Sequence, residues 1–167
     1  VQDVYSIRCT PQILAPVMEA VEAARRTVEI EANSSNDNPL VLPEQKKIIH
    51  GGNFHGQSIA FAMDALCMAL AEMGTLSERR INKLLDKTLN EGLPEHLIAG
   101  SPGLTMGFMG VQYLATSSTA ELRQLANPLG TLSISCNASN QDVVSMGPGA
   151  ARKAMRAATM AKHVLTV

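Results

Sequence analysis

Ser58-Ile59-Ala60-Phe61-Ala62-Met63-Asp64-Ala65-Leu66-Cys67-Met68-Ala69-Leu70-Ala71-Glu72-Met73 is the most apolar run in the chain, and it sets the architecture. Its side chains fit a helical period from Ser58 to about Asp86, yet apolar residues fall on nearly every face. A helix apolar all round has to be enclosed by other helices. A chain of 167 residues surrounds such a helix only with difficulty, so neighbours from further sequence or from other subunits are expected. The run Ile59 to Ala71 is broken by Asp64, followed by Glu72 and too short to span a bilayer unaided, so no membrane partner is expected.

Toward the N-terminus, Thr10-Pro11 reads as an N-cap with proline at the first helical position. Ile13, Leu14, Val17, Met18, Val21, Ala24 and Val28 then recur at helical spacing, predicting a helix over about Pro11 to Ala32. Asn33-Ser34-Ser35-Asn36-Asp37-Asn38-Pro39 ends it, because short polar side chains compete for backbone hydrogen bonds and the proline disfavours helix in Asn38. Leu40 to Ile49 suits a short hairpin around Pro43-Glu44, and Gly51-Gly52 permits a tight bend.

Toward the C-terminus, Glu91 to Thr105 reads as an irregular connector. A helix follows from Phe108 to Ala126 and stops at Asn127-Pro128, and Ser133 to Asn140 is a polar loop. A last helix begins near Pro148 and runs through Ala150, Ala151, Ala154, Met155, Ala158 and Ala161 to Val167. The expected fold is all-α, a long-helix bundle with residues 1–167 forming a single helical segment.

Composition narrows the function classes. At 46% hydrophobic the chain is a folded protein, and 14 basic against 15 acidic residues leave a net charge of −1, which gives no sign of a phosphate-binding surface for nucleic acid. With no Trp and nine Met, the core is built from Leu, Ala, Val and Met, which suits close helix packing. Cys9, Cys67 and Cys136 lie far apart without CxxC spacing, indicating neither a disulfide framework nor zinc, and a reducing, cytoplasmic location.

No G-x-S-x-G elbow, phosphate-binding G-x-x-x-x-G-K-[ST] loop or H-E-x-x-H pair occurs. His50 and His55 flank a Gly-Gly bend with no carboxylate or thiol close in sequence, so no metal site is expected. Gly51-Gly52-Asn53-Phe54-His55-Gly56 puts an aromatic ring and polar groups on flexible backbone, or is simply a loop turned by glycine. Asn140-Gln141-Asp142 offers amides without a base or nucleophile, and read by itself suggests a helix N-cap. Gln2, Tyr5 and Arg8, three apart, share a face in a helical turn and together could hold an amino acid carboxylate, which the planar guanidinium fork matches. Alone, Arg8 reads as an ordinary surface cation.

Five ordered motifs carry a resemblance across the whole chain. They are Gln2-Asp3-Val4-Tyr5-Ser6-Ile7-Arg8-Cys9, Asn36-Asp37-Asn38-Pro39-Leu40, Gly51-Gly52-Asn53-Phe54-His55-Gly56, Ser77-Glu78-Arg79-Arg80, and Asn140-Gln141-Asp142-Val143-Val144-Ser145-Met146-Gly147. Together they resemble the ammonia-lyases and 2,3-aminomutases that use a 4-methylideneimidazole-5-one (MIO) group. That family includes histidine, phenylalanine and tyrosine ammonia-lyases and tyrosine and phenylalanine aminomutases. The resemblance implies a bundle like the central one of the fumarase and aspartase superfamily, assembled as homotetramers whose active sites draw on several subunits. It implies elimination of ammonia from an aromatic L-amino acid, or a shift of the amine from C2 to C3. Arg8 resembles the residue that pairs with the substrate carboxylate, and Asn38 one that assists it. Asn140 and Gln141 resemble substrate-binding residues, Gln2 and Tyr5 catalytic residues lining the prosthetic-group pocket, and Phe54 the aromatic packed beside that group.

Gln141 stands where histidine-specific enzymes of the family tend to carry glutamate, so phenylalanine or tyrosine is the expected substrate and histidine the alternative. The family's prosthetic group forms from Ala-Ser-Gly, which occurs nowhere between Val1 and Val167. The chain therefore reads as an internal segment of a larger enzyme, without the MIO-forming domain and the C-terminal end, and inactive alone. A reading of another class is a non-catalytic helical segment that only self-associates. The related fumarase and aspartase signature Gly-Ser-Ser-x-Met-Pro is absent.

Overall fold

The computed structural model describes residues 2–167. A single helical turn, α1 (Tyr5–Arg8), leads into α2 (Thr10–Ala32). Strands β1 (Leu40–Leu42) and β2 (Lys47–Ile49) form an antiparallel hairpin, with Leu40 opposite Ile49 and Leu42 opposite Lys47. Then come α3 (Gln57–Leu85), α4 (Met109–Leu125) and α5 (Gly147–Leu165). The all-α expectation holds, and the hairpin lies where it was expected.

The 29-residue α3 is the axis of the bundle, packed against α2, α4 and α5, with α4 also against α5. Ala60, Asp64, Cys67, Ala71, Gly74 and Glu78 recur every three or four residues as its buried stripe. Facing them on α5 are Ala150, Ala154, Ala157 and Ala161, whose small side chains let the two helices approach closely. Leu122 and Val164 are the largest fully buried side chains. Within this chain α3 is not enclosed all round. Phe61 and Met68 are 53% exposed, so apolar surface remains for a neighbour.

The segment Asn53–Leu85 is long and apolar enough by length and composition to cross a membrane, where the sequence reading took its apolar run as too short. Its packing in the bundle accounts for that composition, and its centre holds a buried ion pair. Asp64 accepts the backbone N–H groups of Leu129 (2.9 Å) and Gly130 (2.7 Å) and pairs with the Lys153 ammonium. These contacts pin the turn after α4 to both α3 and α5.

Two expected caps are corrected. Thr10 is the first residue of α2 rather than its cap, and its hydroxyl donates backward to the carbonyl of Ile7 (2.8 Å), tying α1 to α2. Asn140-Gln141-Asp142 caps no helix. α5 begins later, at Gly147, after Met146 in a left-handed conformation. The last helix stops at Leu165, where the Thr166 hydroxyl donates to the Lys162 carbonyl (2.9 Å).

Candidate active site

Three segments distant in sequence meet at the N-terminal end of α3. The polar loop after α2 brings Asp37 and Asn38, the bend after β2 brings Phe54 and His55, and the approach to α5 brings Cys136 and residues 140–146. They surround an open cavity of about 730 Å³.

Each wall is held by hydrogen bonds that its sequence makes available. The Asn38 side-chain oxygen accepts the Gly51 N–H (3.1 Å), and Asn53 donates to the Ser35 carbonyl (3.3 Å), clasping the polar loop to the glycine bend. His55 donates from Nε2 to the Val143 carbonyl (3.0 Å), joining the bend to the third segment. That segment is fastened internally, because the Ser133 hydroxyl accepts the Val144 N–H (2.7 Å). Cys136 and Gln141 also exchange both backbone hydrogen bonds across an antiparallel bridge. The reversal between them places Asn137, Ala138 and Ser139 in left-handed conformations (φ 52°, 52° and 65°), each unfavourable for a residue with a Cβ.

Asn38, Phe54, Asn140 and Gln141 are thus brought together. The Phe54 ring is 56% exposed, so an aromatic face is open to the cavity. Asn38 Nδ2 and Gln141 Nε2 make no hydrogen bond among the described residues, which leaves two amide donors at its edge. Asp37 and Asp142 also line it, and among the described lining residues there is no lysine or arginine.

Gln2, Tyr5 and Arg8 meet each other elsewhere. Arg8 donates from Nη1 to Gln2 Oε1, and its guanidinium carbon lies 5.1 Å from the Tyr5 ring centroid, a cation–π distance. Their turn is anchored by Arg80 of α3, which donates to the Ser6 carbonyl (2.7 Å) and the Thr10 hydroxyl (2.5 Å). From Gln57, beside the cavity, to Arg80 the helix rises about 35 Å at roughly 1.5 Å per residue. The cavity residues and the Arg8 cluster therefore do not meet within a single chain. The two clusters occupy opposite ends of α3.

Sequence reasoning missed Asp37, His55, Cys136 and Asp142 as cavity residues and Arg80 as the anchor of the Arg8 turn. Asp37, His55, Asp142 and Arg80 stood inside quoted motifs. Cys136 carried no local signal, because its contact with Gln141 depends on three consecutive left-handed residues that no glycine announces.

The profile of the family described as aromatic amino acid lyase matches residues 1–167. The chain is 49% identical over 166 residues to the MIO-dependent tyrosine 2,3-aminomutase of Streptomyces globisporus, covering 99% of this chain and 30% of that protein. It is 44% identical over 167 residues to a histidine ammonia-lyase of Treponema denticola, covering 33% of its length. The solved phenylalanine aminomutase of Pantoea agglomerans superposes with a TM-score of 0.92 at 43% identity, over 99% of this chain and 32% of the other. The chain spans about a third of the length of these relatives, and its long-helix bundle is theirs. The match from end to end, at this identity and with the same fold, shows that the chain belongs to the aromatic amino acid lyase family.

Proposed function

We propose that the full-length protein eliminates ammonia from an aromatic L-amino acid, phenylalanine or tyrosine, or moves its amine from C2 to C3. The observation that carries this reading is the cavity gathering Asn38, Phe54, Asn140 and Gln141 from three separate segments. Its exposed aromatic ring and unpartnered amide donors suit a planar aryl group and substrate oxygens.

One wall also suits the MIO group. Phe54 offers a flat apolar surface against which a small conjugated ring can pack, with amides at its edge. When bound, that group supplies the electrophile for the substrate amine. Around it, Phe54 excludes water from one face, and Asn38 and Gln141 donate to substrate oxygens and fix orientation. An amide at position 141, rather than a carboxylate, favours an aryl substrate over imidazole.

A substrate carboxylate calls for a guanidinium or ammonium, and the described residues lining the cavity include no arginine or lysine. We place Arg8, with Tyr5 and Gln2, in the site of a neighbouring copy, so that a homo-oligomer completes each cavity. The exposed Phe61 and Met68 on α3 are apolar surface of the kind such an assembly covers.

The full-length protein, incubated separately with phenylalanine, tyrosine and histidine, is expected to release an absorbing arylacrylate or a β-amino acid from an aryl substrate. Absence of turnover with all three would leave only a self-associating helical protein. Preference for histidine would overturn the assignment of substrate.

A further inference from the structure

Cys136 and Gln141 are joined by more than their backbone bridge. The Cys136 thiol also lies 3.1 Å from Gln141 Oε1, donating to it, and both residues line the cavity. A thiol is a weak donor, and a side-chain amide can turn to present either its oxygen or its nitrogen. With Oε1 held by the thiol, Nε2 is the end left without a partner among the described residues.

We propose that Cys136 is a positioning residue. Its thiol fixes the orientation of the Gln141 amide so that position 141 acts as a hydrogen-bond donor toward an oxygen of the substrate. This rests on the reading of the cavity as the site for an aromatic amino acid, and it adds what sets the polarity of one wall. A carboxylate at this position would only accept, and would suit a ring N–H. An unrestrained amide would sample both ends and lose part of its preference for oxygen. The thiol removes that freedom at a residue whose backbone is already fixed by the bridge and the left-handed turn.

The arrangement allows a clean test, because Cys136→Ala deletes the thiol and leaves both backbone hydrogen bonds of the bridge. Cys136→Ser keeps a donor at the same place. In the full-length enzyme, Cys136→Ala is expected to raise KM for the aryl substrate about twofold, because an amide free to turn presents its nitrogen only about half the time. Its kcat should change less than its KM, and its Tm should stay at the wild-type value. Cys136→Ser should recover most of the wild-type KM. An unaltered KM in Cys136→Ala, in an enzyme whose wild type turns over the aryl substrate, overturns this inference alone. Equal impairment of the Ala and Ser variants with lowered Tm in both shows a structural thiol and also overturns it. No turnover by the wild type removes the reading of the site and this inference with it.

Discussion

Arg8 is held by two side chains of its own neighbourhood, Gln2 and Tyr5, and its turn is tied down by Arg80. A guanidinium has five N–H donors in a rigid fork, so the bond to Gln2 leaves a face free for a carboxylate. Replacing it by Met keeps most of the apolar stem and removes the charge. Arg8→Met is expected to lower kcat/KM about 100-fold, the equivalent of roughly 3 kcal/mol for a charge-assisted pair, with KM raised. Steady-state kinetics of the full-length variant check this, and unchanged KM and kcat would remove Arg8 from the site. At this scale the sequence was legible where spacing is short. Gln2, Tyr5 and Arg8 at intervals of three predict one face of a helical turn; their side chains do meet, but Gln2 reaches Arg8 from outside the helix, which starts at Tyr5. The service of Arg80 to Ser6 and Thr10 crosses some seventy positions, a long-range contact that no local pattern encodes.

Among the elements, the helices were legible because their burial is periodic, and the hairpin because Pro43-Glu44 interrupts two short apolar runs. Caps were less so. Thr10 and Asn140 have the right chemistry for capping, but the Thr10 hydroxyl is engaged by Ile7 and Arg80, and Asn140 lies in the turn closed by the Cys136–Gln141 bridge, its N–H donating to the Asn137 carbonyl. The ion pair of α3 and α5 was likewise hidden, since Asp64 read only as a break in an apolar run. Burial would push the Asp64 carboxyl up, but the Lys153 ammonium and the N–H groups of Gly130 and Leu129 outweigh it and hold it below its ordinary value of 3.8. Its ionised form is therefore favoured by folding. The resulting stability is fully present above the unfolded value of 3.8 and is lost as pH falls through the lower folded-state value. Asp64→Asn leaves Lys153 without its buried counter-charge and is expected to cost about 3 kcal/mol at neutral pH. Thermal unfolding from pH 7 to 2 should show the wild type losing Tm below about pH 4 and the variant following a flatter course there. Parallel profiles would show that the pair contributes nothing to folding.

For the whole molecule, the decisive feature is length. α3 separates an aryl-and-amide cavity at its start from a guanidinium–phenol cluster near its end, and neither alone matches an amino acid. The sequence showed both groups of residues but not their separation, because a helix axis fixes distances only once its partners are known. The same helix keeps apolar side chains on its outer surface, where a second copy can bury them. The most direct test is therefore subunit complementation. Full-length Arg8→Met and Phe54→Ala, each impaired alone, are co-expressed so that mixed oligomers form, and turnover of the aryl substrate is measured. If each site takes Phe54 from one copy and Arg8 from another, random mixing restores both residues in about a quarter of the sites and activity returns to that level. Mixed oligomers no more active than the two parents would mean that a single chain supplies both residues, contradicting the shared site.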